Sequence, residues 1–440
     1  MSKIEVVWFK DLDLWSVALQ NQSQIKSNFP LCYLSEVLED LTESRKITIN
    51  DSLYYKEPTI SSKNNTISVR KKGYGKEFKV KRRVKILPGD LVIAKMHTQN
   101  GLYAISQDEF ASTSTFIPFR ILDNINKDYL FAILKKTLSR LVKFDSVNRE
   151  TYTTSEILKL KIPLPPLEIQ REIVEKIKNI QDKIKALQDE EKRLKEEIEV
   201  YLYITLGLER KQEKKKQKVF VMEFKNLDRW DVKHNQDDVG NSNKVSFESI
   251  ENIVRYMQRG KTPKYSNIKQ YPVIAQKCIQ WNGIDMKKSL FIDPDSIKNY
   301  TQDRFLQDDD ILLNSTGIGT LGRVALYKST INPYAAAVAD GHVTVLRFDK
   351  DKILPNYFYC YFSSSMIQDS IEEYATGSTK QKELSLSLVK QIQIPLPPLE
   401  IQKQIVEHIE SKQKIIEDNK YKIENLQSDI NKELQELILA

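Results

Sequence analysis

The residues in this chain with the clearest chemical possibilities are Gly317-Ile318-Gly319-Thr320-Leu321-Gly322, preceded by Asn314-Ser315-Thr316 and followed by Arg323. Glycines at this spacing suit a dinucleotide, because they let a turn of backbone come close to a pyrophosphate at the start of a helix. The run Ile311-Leu312-Leu313 reads as the strand such a site needs. The helix is missing: Arg323-Val324-Ala325-Leu326-Tyr327 reads as a second strand, and Asn332-Pro333 follows. The pattern therefore predicts a glycine-rich hairpin exposing Asn314, Ser315, Thr316, Thr320 and Arg323, side chains that suit base edges and phosphates. An earlier loop, Met96-His97-Thr98-Gln99-Asn100-Gly101, follows a similar run, Val92-Ile93-Ala94, and offers His97, Gln99 and Asn100 for the same role.

A second constellation is basic. Arg70, Lys71, Lys72, Lys76, Lys79, Lys81, Arg82, Arg83 and Lys85 lie in one stretch whose single acid is Glu77, with Tyr74 and Phe78 interleaved. Such a stretch can follow a phosphate backbone; the plainer alternative is an edge hairpin that lysines protect from pairing. Asn332-Pro333-Tyr334 resembles the amine-binding motif of amino-methyltransferases but lacks its second proline. The sequence holds no Walker loop, zinc spacing or Ser-His-Asp order, so nothing points to catalysis. Cys32, Cys278 and Cys360 are scattered, as are His97, His234, His342 and His408, which implies buried free thiols and no metal.

The 440 residues carry a net charge of +8 and 40% hydrophobic residues with only 13 Gly and 15 Pro, the composition of a folded chain of two or three domains. The absence of a signal-peptide pattern and of a long apolar run predicts a cytoplasmic protein with no membrane span.

What must position these loops is repeated. Ile162-Pro163-Leu164-Pro165-Pro166-Leu167-Glu168-Ile169-Gln170 recurs without change as Ile394-Pro395-Leu396-Pro397-Pro398-Leu399-Glu400-Ile401-Gln402. The prolines end an extended segment, Pro166 and Pro398 fit a first helical turn, and Glu168 and Glu400 favour a helix N-terminus. Phe9-Lys10-Asp11-Leu12-Asp13-Leu14-Trp15 matches Phe224-Lys225-Asn226-Leu227-Asp228-Arg229-Trp230, and Asp128-Tyr129-Leu130-Phe131 stands beside Asn356-Tyr357-Phe358-Tyr359. The chain is thus two tandem units. Short β-type runs between turn residues make the fold class α+β: two strand-rich domains, 1–160 and 209–392, each followed by a long helix, 161–208 and 393–440. The charge run 209–218 reads as a solvated linker.

Both helices keep heptad spacing. Ile173, Ile177, Ile180, Ile184, Leu187, Leu194 and Ile198 form one seam, interrupted by Glu191; Ile405, Ile409, Ile416, Ile423, Leu426 and Ile430 form the other, interrupted by Lys412 and Asn419. Each seam needs a partner, and their equal length, about 57 Å, predicts an antiparallel coiled coil with the domains at opposite ends. The expected register sets Leu187 beside Ile416 and Leu194 beside Ile409, so that Glu191 pairs with Lys412.

This order of variable domain, shared helix, variable domain, shared helix resembles the specificity subunit of type I restriction-modification enzymes over nearly the whole chain. The two Pro-Leu-Pro-Pro-Leu-Glu-Ile-Gln openings carry the resemblance, backed by Gly260-Lys261-Thr262-Pro263, by Asn314 to Arg323 and by Gly377-Ser378-Thr379-Lys380-Gln381. The first domain departs from it, with Val147-Asn148-Arg149-Glu150 where the second has its glycine loop. The resemblance implies a non-catalytic subunit that binds double-stranded DNA, reads half of a split target with each domain, and recruits two modification (methyltransferase) subunits and restriction/translocase subunits. It adds Lys261, Ser378, Lys380 and Gln381 to the DNA-binding candidates, and it assigns S-adenosylmethionine, ATP and Mg2+ to partner subunits, with no cofactor here. A non-catalytic coiled-coil scaffold with two unrelated binding modules is the alternative.

Overall fold

The computed structural model describes residues 27–61, 64–141, 151–208, 245–317, 319–334, 336–377 and 382–439. The matched openings at 9–17 and 224–232, the 147–150 stretch, the 209–218 charge run, Ile318, Ser378, Lys380 and Gln381 lie outside them. The chain divides into two compact units, Met1–Leu187 with Tyr421–Ala440, and Gln188–Lys420.

In the first unit, β1 (Leu31–Tyr33) is followed by β2 (Leu38–Asp40), β3 (Lys46–Thr48), β4 (Tyr54–Ser61), β5 (Thr66–Tyr74), β6 (Arg82–Ile86), β7 (Leu91–Ala94), β8 (Tyr103–Ile105), β9 (Phe110–Ser112) and β10 (Phe116–Ile121). Helices α1 (Lys127–Leu138) and α2 (Thr154–Leu158) then lead to β11 (Lys161–Pro163) and the long α3 (Leu167–Leu206). The main sheet has the order β2-β10-β7-β8, a three-stranded sheet runs β3-β6-β9, β4 and β5 form a ribbon, and β1 pairs with β11. All four residues of β7 are buried, and alternate ones feed two cores. Leu91 and Ile93 join the cluster under α1, while Val92 packs with Ile86 and Phe110.

The second unit repeats this frame. It contains β12 (Phe247–Ser249), α4 (Ile250–Ile253), β13 (Val254–Arg259), β14 (Tyr265–Ser266), β15 (Pro272–Ile274), β16 (Ile279–Gln280), β17 (Gly283–Ile284), β18 (Leu290–Ile292), β19 (Ile311–Asn314), β20 (Val324–Leu326), β21 (Val338–Ala339) and β22 (Val343–Phe348). Helices α5 (Pro355–Phe362), α6 (Ser365–Gln368) and α7 (Leu386–Gln391), strand β23 (Gln393–Pro395) and the long α8 (Leu399–Leu439) complete it. Its main sheet, β13-β22-β19-β20, matches the first, β19 standing where β7 stood, and β12 pairs with β23 as β1 pairs with β11. Ile311 and Leu313 again feed one core and Leu312 another. What differs is the insertion: a second four-stranded sheet, β14-β18-β15-β21, where the first unit has its ribbon.

The duplicated proline motif works through its last residue. Gln170 and Gln402 are fully buried. Gln170 Oε1 accepts from the backbone N–H of Asn126, the N-cap of α1, at 2.7 Å, and its Nε2 donates to the Pro165 carbonyl at 2.7 Å. Gln402 does the same with the N–H of Leu354, the N-cap of α5, at 2.8 Å and the Pro397 carbonyl at 2.8 Å. Tyr129 and Tyr357 donate to the carbonyls of Pro163 and Pro395 at 2.9 and 2.7 Å. Pro166 and Pro398 stand just ahead of the helices, their carbonyls accepting from the N–H groups of Gln170 and Gln402.

The pairing of the long helices departs from the expected register. In the second unit Lys412 donates to Glu197 at 2.6 Å, Asn419 to Glu190 at 2.9 Å, and the rings of Tyr201 and His408 stack at 3.8 Å. Partners on α3 descend as those on α8 ascend, so the segments are antiparallel. The expected Glu191–Lys412 pair does not form: Glu191 bonds Lys195, one turn on, at 2.6 Å. In the first unit Leu187 and Lys183 line one cleft with Lys422 and Leu426, not Ile416. The expected register left Asn419, only 2% exposed, facing isoleucine. The observed one satisfies both polar seam residues of α8, because Glu190 and Glu197 have the same heptad spacing as Asn419 and Lys412. The expectation counted only seam positions as partners, whereas a lysine reaches flanking ones.

Candidate nucleic-acid interface

The basic stretch of the first unit folds into β5, a 3-10 turn at Gly75–Glu77 and β6, and folding brings acids to it that the sequence places elsewhere. Arg83 is 5% exposed, bonds Glu57 at 2.6 Å and the Val80 carbonyl at 2.9 Å, and lies over the Phe78 ring. It is a core ion pair, which corrects its assignment to DNA. Lys81 pairs with Asp51 and also reaches the Gly75 carbonyl at 2.8 Å; Lys85 meets Glu109 at 3.1 Å. Lys71 donates to the Glu77 carbonyl at 2.7 Å and sits over Phe78. Arg70 is the unpaired residue of a bulge in the β4–β5 ladder, 3.7 Å from Glu57 and well exposed. Lys72, Lys76, Lys79 and Arg82 are exposed and have no ion-pair partner among the described residues. These four and Arg70 form the available basic surface.

A polar loop leaves the end of the corresponding strand in each main sheet. After β7, His97 and Asn100 are exposed, and His97 and Gly101 have φ of 54° and 72°. Thr98 anchors the loop by donating to the Ala94 carbonyl at 2.6 Å, and Gln99 is half-buried with its Oε1 unpartnered. After β19 comes the glycine run. Leu313 pairs antiparallel with Val324 of β20, so the run is a hairpin and not a strand-to-helix turn. Gly322 has φ of 78°, and a Cβ there would lie 2.3 Å from Ile371.

Within that hairpin the predicted side chains divide. Asn314 is buried, its Nδ2 donating to the Gln276 carbonyl at 3.3 Å; Ser315 is buried against Thr344 at 2.6 Å. Neither is exposed as expected, because β19 extends through Asn314. Thr320 is half-buried, its hydroxyl bonded to the Thr316 carbonyl at 3.1 Å. Arg323 donates to the carbonyls of Ile279 and Gly319 at 3.2 and 3.0 Å and lies over the half-exposed Trp281 at 5.3 Å. Thr316 meets Gln276 and His342, whose Nδ1 is 3.0 Å from its hydroxyl. Lys261 is exposed, near Tyr300 and the Asn299 carbonyl. Gly260, in the same loop, passes so close to β21 that a Cβ would lie 2.1 Å from the Ala339 carbonyl oxygen. Gln276, Trp281 and His342 were not singled out in the sequence. The available signal was the turn Asp340-Gly341-His342 directly before β22.

The Asn332-Pro333-Tyr334 segment has its amide engaged: Asn332 Oδ1 accepts from the Tyr334 N–H at 3.0 Å, and Nδ2 donates to Tyr327 at 3.2 Å. The three cysteines are buried and unbonded. Among the described residues no three acidic, histidine or cysteine side chains come together as a metal site requires, and no helix is long and apolar enough to cross a membrane.

A family model described as type I restriction modification DNA specificity domain matches residues 34–200 and 242–428. A putative type I restriction enzyme MjaX specificity subunit from Methanocaldococcus jannaschii is 27% identical over 190 residues, which span 43% of this chain and 41% of that protein. The match thus covers less than half the length of this relative. A solved chain described under complex assembly and conformational transition of the type I R-M system has a TM-score of 0.57 at 16% identity, over 94% of this chain and 98% of that one. The HsdS subunit of Thermoanaerobacter tengcongensis gives 0.40 at 15% identity with the same coverage.

Proposed function

The chain belongs to the type I restriction-modification DNA specificity family, and on that premise we propose that it binds double-stranded DNA and reads a split target, one half in each unit. The observation that carries this reading is the repeated sheet with unlike loops. The strands β7 and β19 occupy the same place in the same strand order, each buried on both faces, and each delivers a polar loop with different residues. A rigid frame repeated with variable ends is what two recognitions of different sequence need. Arg70, Lys72, Lys76, Lys79 and Arg82 supply phosphate contacts in the first unit, and Lys261 supplies one in the second.

In this reading the long helices form an antiparallel coiled coil that carries two modification subunits, joined by restriction/translocase subunits for cleavage. The chain contributes no catalytic group, acts in the cytoplasm, and leaves S-adenosylmethionine, ATP and Mg2+ to those partners. Sequencing DNA selected from a random library by the full chain with its modification subunit tests the proposal. Two short blocks separated by unselected positions are expected; a single contiguous block overturns it.

A further inference from the structure

We propose that His342 is a specificity-determining residue of the second unit, presenting one imidazole N–H donor, on Nε2, to a base edge that carries an acceptor. The inference rests on the DNA-reading function above and identifies which group at that site reads.

The hydrogen bonds around Thr316 fix the proton. Gln276 Nε2 lies 2.6 Å from the Thr316 carbonyl oxygen, which can only accept, so the amide is oriented with its NH2 toward Thr316. The same NH2 also contacts the Thr316 hydroxyl as donor. The hydroxyl oxygen therefore already accepts, and its own hydrogen points to the remaining neighbour, His342 Nδ1 at 3.0 Å. Nδ1 is then the acceptor, and the proton of the neutral ring sits on Nε2. With the opposite tautomer, the hydroxyl would accept twice and its hydrogen would have no partner in this cluster.

The backbone is held as firmly. The His342 N–H donates to Asp340 Oδ1 at 3.0 Å, its carbonyl accepts from the Ser315 N–H at 3.0 Å, and Asp340 Oδ2 takes the Tyr265 hydroxyl at 3.0 Å. Gly341 lets the turn lie against the neighbouring loop: a Cβ there would be 2.8 Å from Thr262 Oγ1. His342 is nonetheless exposed. A donor fixed by its ring, its backbone and the residue before last discriminates among base edges, because guanine, adenine and thymine offer major-groove acceptors and cytosine offers a donor. Thr316 is the positioning residue.

Two measurements on the full chain test this. In DNA selection with the modification subunit, His342→Ala should flatten preference at one position of one half-site by about tenfold, the scale of a single base-edge hydrogen bond. Thr316→Val should weaken the same position, His342→Gln, which keeps an N–H donor, should retain it, and the other half-site should not change. Histidine-selective nitrogen-15 NMR, with the His342 signals assigned by their loss in His342→Gln, should show Nδ1 unprotonated and Nε2 protonated. A split target left unaltered by His342→Ala, or a ring protonated on Nδ1, overturns the inference while leaving the family-level function intact. Failure of the wild-type chain to select a split target would instead overturn that function.

Discussion

Arg82 and Arg83 are adjacent, identical in type and opposite in role. Strand alternation turns Arg83 into the core against Glu57 and leaves Arg82 in solvent. Arg83→Ala leaves Glu57 enclosed without its partner and should cost about 3 to 5 kcal/mol of stability, the usual result of breaking a buried pair, read as a lower urea midpoint. Arg82→Ala should leave that midpoint unchanged. Its effect belongs to DNA affinity, with the log-log salt slope falling by about 0.9 because one phosphate is no longer neutralised. Equal destabilisation by both would mean that β6 is not oriented as described. The stretch was recognisable as basic from sequence, but its acids Glu57, Asp51 and Glu109 come from other strands. A local reading therefore counted as free several cations that the fold neutralises. Asn314 and Ser315 were misread for a related reason: a polar residue at a strand end looks like loop until the ladder with β22 is known to reach Asn314.

At the scale of elements, the shared proline motif was fully readable, yet its purpose lies in a glutamine that the proline pattern overshadows. Gln170→Ala or Gln402→Ala removes a side chain that satisfies the N-cap N–H of a neighbouring helix and a proline carbonyl, both far from water. Each substitution should destabilise its unit by roughly 1 to 3 kcal/mol per orphaned group in urea unfolding; Glu in place of Gln should not rescue, because a carboxylate cannot donate to the carbonyl. The helix register is a second test. Cysteines replacing Leu187 and Lys422, which line one cleft, should react with a short bifunctional thiol reagent faster than cysteines replacing Leu187 and Ile416. Faster closure of the latter pair would restore the register expected from Glu191. The Lys412 hydrogen bond, first among the causes, holds the Glu197 carboxyl below its ordinary range. A depressed folded-state pKa contributes stability above the unfolded value, about 4.3, and loses it as pH falls through the folded value. The difference in thermal midpoint between the chain and Glu197→Gln should therefore be steady at neutral pH and shrink in acid. A difference that persists in acid would show that Glu197 acts by packing alone.

Over the whole molecule the repetition decides what can vary. The frame, made of β1·β11, the β2-β10-β7-β8 sheet, α1 and the buried glutamine, recurs element for element, and each copy has its own buried cluster. The inserted strands and the loops after β7 and β19 do not recur, and for that reason a single sequence could reveal the frame by self-comparison but not the reading residues. The same division makes a prediction about energies. The loop carrying Gln99 and Asn100 hangs from one sheet and one core, that carrying Thr316 beside His342 from another, so substitutions in them should act on DNA binding independently. Measured at one salt concentration on the selected target, the affinity decreases from Asn100→Ala and His342→Ala should add in the double variant to within about 0.5 kcal/mol, the usual agreement for sites without shared partners. Each single decrease should vanish on a target whose corresponding half is scrambled, because the bases that the side chain would meet are no longer present. A coupling of more than about 1 kcal/mol between the two substitutions, well beyond that agreement, would mean that the loops act on one contiguous stretch of DNA, and the assignment of one half-site to each unit would have to be abandoned.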